Sequence, residues 1–245
     1  MTTFVDIHNH SLFGFDDGAK TREDCEKMIA ASYAEGVRHL CFTPHHHVTH
    51  YTPDRSVLEA RFEEIRAWAQ EKYPDLTLYL GNEVFGYSEG LLAVQSGAAC
   101  TLAGRGTVLF EFHDTERFLY IRNRLREART LGYTPVLAHA ERYGCLYKDI
   151  GRVEELVRRR IHIQINASSI NRRFHFRERR FIRRLLDADL VSVIASDAHD
   201  MTTRTPALRE AYEFILKNYG EERATRLFYE NPRRLLSADK EEEKV

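Results

Sequence analysis

Twelve histidines are spread unevenly along these 245 residues, and most fall in short clusters beside carboxylates. The first cluster, Val5-Asp6-Ile7-His8-Asn9-His10, runs into a loop ending in Asp16-Asp17-Gly18. In an extended strand, residues two apart share a face, so His8 and His10 aim two imidazoles at one point. Imidazoles converging with carboxylates form a site for a metal ion. The same types recur as His45 in Thr-Pro-His-His-His, Glu83 in Gly-Asn-Glu, and Glu111 in Phe-Glu-Phe. They appear again as His139 in Ala-His-Ala-Glu-Arg-Tyr, and as Asp197 and His199 in Ala-Ser-Asp-Ala-His. Of the three consecutive histidines only His45 is expected to be a ligand; His46 and His47 read as loop residues. With Asp17, these nine residues exceed what one tetrahedral ion can use, and carboxylates can bridge, so two or three metals are expected. The mixed imidazole and carboxylate set suits Mn, Fe or Zn better than Mg or Ca, with Mn preferred.

Seven runs rich in β-forming residues must carry these groups: Phe4 to His8, Val37 to Thr43, Leu76 to Gly81, Thr107 to Phe112, Pro135 to Ala138, Ile161 to Asn166, and Leu190 to Ala195. Helical periods separate them. Thr21 reads as an N-cap before Cys25, Met28, Ile29, Ser32 and Tyr33, and the period returns in Leu58, Phe62, Ile65, Trp68 and in Phe118, Ile121, Leu125, Ala128. Gly36 and Gly132 stand where helices should stop. Strand alternating with helix implies parallel strands joined by right-handed crossovers. Six of the seven runs end in His, Asp or Glu; the sixth run offers only Gln164 and Asn166. In a barrel those ends share one rim, whereas an open sheet would spread them along a line. The expectation is therefore an α/β fold, a distorted (β/α)7 TIM-like barrel.

Composition agrees with one domain over residues 1–245, with 240–245 as a charged tail. Hydrophobic residues make up 43%, enough for a core, and the net charge of −1 favours no nucleic-acid partner. No apolar run is long enough to enter a bilayer as a span, and the start lacks a basic region followed by an apolar one, so a cytoplasmic protein is expected. The four cysteines form no C-x-x-C pair. No cysteine is followed six positions later by arginine, so a thiol-type tyrosine phosphatase loop is excluded, as is a P-loop.

The ordered motifs D-x-H-x-H, D-D-G, T-P-H, G-x-E, F-E-F, A-H-x-E-R-Y, Q-I-N, A-S-D-x-H and N-P-R resemble the polymerase and histidinol phosphatase superfamily. More narrowly, they resemble the bacterial tyrosine phosphatases of capsule and exopolysaccharide operons. The resemblance spans Asp6 to about Leu235 and implies a seven-stranded barrel with three metals. It implies that His8, His10, Glu83 and Asp197 surround one ion, that Glu83, Glu111 and His139 hold a second, and that Asp17, His45 and His199 hold the third. It further implies a phosphotyrosine-bearing partner, the tyrosine-rich tail of a bacterial kinase. The arginine-rich stretch around residues 168 to 184 departs from that pattern and bears on partner recognition.

The expected chemistry is hydrolysis of a phosphomonoester by a metal-activated hydroxide. Arg142 and Arg204 are candidate phosphate clamps, since guanidinium matches phosphate oxygens in a fork. Asp197 and His199 are candidates for proton transfer, although His199 cannot serve as ligand and acid through one nitrogen. The alternative within the fold is a small-molecule phosphatase acting on histidinol phosphate; a nuclease and a non-catalytic binding module rank lower. Arg172, Arg173, Arg177, Arg179, Arg180, Arg183 and Arg184, with Phe174, Phe176 and Phe181, could dock an anionic tail, but the favoured reading is a helix that buries its aromatics and solvates its charges.

Overall fold

The computed structural model describes residues 3–47, 49–171 and 176–237. The tail at 240–245, and Arg172, Arg173 and Phe174 of the arginine-rich segment, lie outside the described residues. Strand and helix alternate from the start: β1 (Phe4–Asp6), α1 (Arg22–Glu35), β2 (Val37–Phe42), β3 (His45–His46), α2 (Arg55–Lys72), β4 (Thr77–Leu80) and β5 (Glu83–Phe85). They continue as α3 (Ser88–Ser96), β6 (Thr107–Glu111), α4 (Phe118–Thr130), β7 (Thr134–Leu137), α5 (Gly144–Tyr147), α6 (Gly151–Arg158) and β8 (His162–Asn166). Then come α7 (Ala167–Asn171), α8 (Phe176–Asp187), β9 (Val193–Ala195) and α9 (Arg209–Tyr219).

The helices form where local chemistry asks for them. Thr21 closes a capping box with Asp24, and Gly36 ends α1 with φ 107, a left-handed turn that glycine adopts without strain. Between these caps Cys25, Met28, Ile29 and Ser32 are buried. Asp54 caps α2 by accepting from Ser56 N at 2.8 Å, and α4 buries Phe118, Ile121, Leu125 and Ala128. In α8, Phe181, Ile182, Leu185 and Leu186 are buried while Arg177, Arg180, Arg183 and Arg184 are exposed. Phe176 departs from the favoured reading, being 67% exposed.

All strand pairings of the two sheets are parallel, in the orders β1-β2-β4 and β3-β5-β6-β7-β8-β9. Two of the seven expected staves are thus each broken in two. The second breaks at Thr43-Pro44, where proline has no N–H to continue the ladder. The third breaks at Gly81-Asn82. Asn82 turns its side chain into the gap, donating to the Pro44 carbonyl and accepting from Cys100 N, both at 2.8 Å. A Cβ at Gly81 would stand 2.6 Å from Leu102 Cδ2 and 3.1 Å from its Cα, so only glycine fits that approach. Past both breaks the chain resumes with His45 paired to Glu83 in register. The curled sheet is joined at the same end by His10 N to Ala198 O at 2.8 Å and Asp197 N to His8 O at 2.9 Å.

His46 is not a loop residue. It is the second residue of β3, only 2% exposed, and strand alternation turns it away from the face of His45. One apolar cluster joins the strands to the helices, and a smaller one gathers Val5, Ile7, Cys41, Leu109, Val136 and Val193 with Leu235 and Leu236.

Candidate metal centre

Where the staves end, nine ligand-type side chains converge. His8 Nε2 lies 3.1 Å from Glu83 Oε2 and 3.3 Å from Asp197 Oδ1. His10 Nε2 lies 3.3 Å from the same Glu83 oxygen. His8, His10, Glu83 and Asp197 each offer one atom within a mutual 4.8 Å, and all four are buried. A second group is His45, Glu83 and Glu111. His139 Nε2 joins it from the side, 2.8 Å from Glu83 Oε1 and 4.0 Å from Glu111 Oε2. The third contains Asp17, His45 and His199, with His10 as a fourth member. His45 therefore stands between two groups: its Nδ1 is 2.8 Å from Glu111 Oε1 and its Nε2 is 3.4 Å from Asp17 Oδ1.

The backbone is bent to deliver them. His139 and Asp197 have φ of 32 and 52, left-handed values that a side-chain-bearing residue adopts at a cost. Such strain persists where the surrounding structure holds it.

Neighbouring side chains decide which nitrogen of each ring faces inward. Gln164 Oε1 accepts from His139 N at 2.8 Å, which identifies it as the amide oxygen. That oxygen is also 3.0 Å from His8 Nδ1, so Nδ1 carries the proton and Nε2 presents its lone pair to the cluster. Asp16 Oδ2 does the same for His10, 2.7 Å from Nδ1, and also accepts from His45 N at 2.9 Å. His199 Nδ1 lies 3.0 Å from the Asp197 carbonyl oxygen, leaving Nε2 as its inward lone pair. Gln164 Nε2 donates to Asn166 Oδ1 at 2.8 Å, and Asn166 Nδ2 donates to Asp197 Oδ2 at 2.7 Å.

The donor set fits metal ions. Glu83 Oε2, His45 Nδ1 and His199 Nε2 are buried with no hydrogen-bond partner, yet each faces other ligand-type atoms. Buried polar atoms left this way are costly unless something else satisfies them. The set is oxygen and imidazole nitrogen only; Cys25, Cys41 and Cys100 are buried elsewhere. Electrostatics run the same way. Burial pushes the Glu83 carboxyl up, but His8 and His45 beside it overcome this and hold it well below the usual range. Asp197 is likewise held low, against burial, by His8, Arg142 and Arg204. Burial and then the neighbouring His10 push His199 down to about 4.

Both candidate clamps sit on this rim, and both reach Asp197. Arg142 Nη2 is 2.7 Å from Asp197 Oδ2 and Arg204 Nη2 is 2.8 Å from Oδ1. Each oxygen of Asp197 is thus paired with one guanidinium, and Oδ1 still faces His8. The cleft holds about 390 Å³; Asp17, His45, Glu111 and His139 line it with aromatic Tyr51, Phe85 and Tyr143. His47 packs against Phe85 with ring centroids 3.9 Å apart, and Tyr51 stacks on His45 at 5.7 Å. The sequence reading missed Asp16 and Gln164 as orienting groups. The first had a signal in its place beside Asp17; the second had only its position at a stave end.

A family model for capsular polysaccharide synthesis, CpsB/CapC, matches residues 4–237. The tyrosine-protein phosphatase CpsB of Streptococcus pneumoniae is 34% identical over 238 residues, covering 95% of this chain and 98% of that protein. The tyrosine-protein phosphatase YwqE of Bacillus subtilis (strain 168) is 28% identical, covering 89% and 86%. A solved structure from work on YwqE and CpsB, described as unique metal-dependent tyrosine phosphatases, superposes with TM-score 0.88 at 27% identity over 96% of this chain and 95% of that one. A histidinol phosphate phosphatase from Lactococcus lactis, solved with zinc, L-histidinol and phosphate, shares the fold at TM-score 0.58 and 15% identity, over 89% of this chain and 95% of that one.

Proposed function

The chain belongs to the capsular polysaccharide synthesis family CpsB/CapC, and we propose that it works there as a metal-dependent tyrosine-protein phosphatase. The observation that carries the reading is the nine-residue cluster of imidazoles and carboxylates at the head of an aromatic-walled cleft. The ligands would be His8, His10, Glu83 and Asp197 for one ion, Glu83, Glu111 and His139 beside His45 for a second, and Asp17, His45 and His199 for a third. Mn, Fe or Zn matches this donor chemistry, with Mn preferred. Bound there, divalent ions supply positive charge for the phosphoryl group and acidify a water.

The chain's own residues do the rest. Arg142 and Arg204 project guanidinium forks at the rim of the cleft, where they would orient a phosphoryl group for in-line attack. Glu83, shared among the groups, sets their spacing. Tyr51 and Phe85 give the leaving aryl group an apolar wall, which favours a phenolic ester over a polar alkyl phosphate such as histidinol phosphate. The substrate we propose is the phosphorylated tyrosine-rich tail of a bacterial kinase that controls polysaccharide export, supported by the capsule-synthesis family. A kinase tail phosphorylated from ATP puts the reaction in the cytoplasm. Among the described residues no helix is long and apolar enough to cross a membrane.

The deciding experiment joins metal analysis to rates on a phosphotyrosine peptide and on histidinol phosphate. More than one transition-metal equivalent, loss of activity on chelation and a clear preference for the peptide are expected. Full activity in metal-stripped protein would sink the mechanism.

A further inference from the structure

A second depression adjoins the metal-site cleft. It holds about 970 Å³, and Asp114 and Arg142 line both. The two meet where Gly144 N donates to the Asp114 carbonyl oxygen at 3.1 Å. The lining mixes apolar Phe118 and Leu119 with four cations, Arg117, Arg142, Lys148 and Arg152. Arg152 is held in place: Nη1 donates to the Cys145 carbonyl at 2.7 Å, and the guanidinium lies 5.3 Å from the Phe118 ring centroid. Arg117 and Lys148 are exposed, and among the described residues neither makes an ion pair. Of the lining carboxylates, Glu116 is already taken by the Tyr87 hydroxyl and by Arg117 N, while Asp114 stands at the junction. Helix α4 opens on the same side with no acid in its first turn, so its positive end adds to the field of the cations.

A phosphotyrosine is one residue of a longer chain. With its ring and phosphate in the 390 Å³ cleft, the substrate backbone has to leave across the rim. This depression is continuous with that rim and carries Arg117 and Lys148, which make no ion pair among the described residues, whereas Arg152 lies 3.7 Å from Asp149 and Arg142 pairs with Asp197. We propose that it receives the substrate segment flanking the phosphotyrosine and selects for aspartate and glutamate side chains in that segment. The inference rests on the phosphotyrosine reading of the adjoining cleft. Charges at the rim of an interface act on selection and association rate more than on chemistry, so the preference should be carried by KM and should weaken with salt.

The test compares kcat/KM for two phosphotyrosine peptides of equal length, one with glutamate flanks and one with glutamine, and for a small aryl phosphate. Metal-loaded native protein should prefer the glutamate peptide on the order of tenfold at low salt. The double variant Arg117→Glu, Lys148→Glu should lose or reverse that preference while its rate on the aryl phosphate stays within about twofold. Should the double variant not fold, Lys148→Gln alone must narrow the preference. Equal kcat/KM for the two peptides with native protein, or an unchanged preference in the variants, overturns the proposal. Brisk aryl phosphate turnover without a charge preference sinks this inference alone, whereas no turnover of any phosphotyrosine substrate sinks the phosphatase reading with it.

Discussion

The amide oxygen of Gln164 lies 3.0 Å from Nδ1 of His8 and fixes which face of that imidazole is offered to the cluster. The two residues are 156 positions apart, on β8 and on the extension of β1. Because the same oxygen accepts the His139 N–H, one buried side chain sets the geometry of two ligand-type residues.

Gln164→Ala should therefore weaken metal binding by about tenfold to a hundredfold, the usual range for losing an orienting partner. Titration of the apo protein with a divalent metal would read it directly. Affinity equal to native would mean that His8 keeps its orientation by packing alone.

Glu83 should be the worst single loss. Its Oε2 is 3.1 Å from His8, 3.2 Å from His45 and 3.3 Å from His10, and its Oε1 is 2.8 Å from His139. Glu83→Ala is expected to lower metal content by more than one equivalent and to abolish phosphotyrosine turnover. Loss of a single equivalent would show that the groups load independently.

Arg142→Ala and Arg204→Ala should each cut phosphotyrosine turnover by roughly tenfold to a thousandfold, the order of one missing preorganised donor. Since both also pair with Asp197, metal content must be measured on the same samples, and it should stay at the native level. Lysine should rescue only in part, because it keeps the charge and loses the fork. Native rates in both variants would return the two arginines to a purely structural role beside Asp197.

No thiol takes part in this reading. Burial pushes the Cys25 thiol up to about 12 and raises Cys41, Cys100 and Cys145 as well, so none is poised as a thiolate. Replacing all four by alanine should cost stability at the buried positions and leave the rate per folded molecule within about twofold. Activity lost through Cys145→Ala alone, in a folded protein, would point to a covalent route instead.

The sequence by itself determined helices α1, α2 and α4 and the kinds of group at the stave ends. The buried faces of α1 and α4 follow from a 3.6-residue period that each segment carries locally. His8 and His10, Glu83, Glu111, His139, Asp197 and His199 stand at the ends of β-forming runs, and that alternation also lies within short stretches of chain. Register does not. Only the folded structure breaks two staves at Pro44 and Asn82 and so sets His45 opposite Glu83. Only the fold brings Asp16 against His10, Gln164 against His8, and two arginines onto Asp197. Those pairings depend on how far each strand is shifted against its neighbour, which is settled by packing between segments distant along the chain, and no local period carries it.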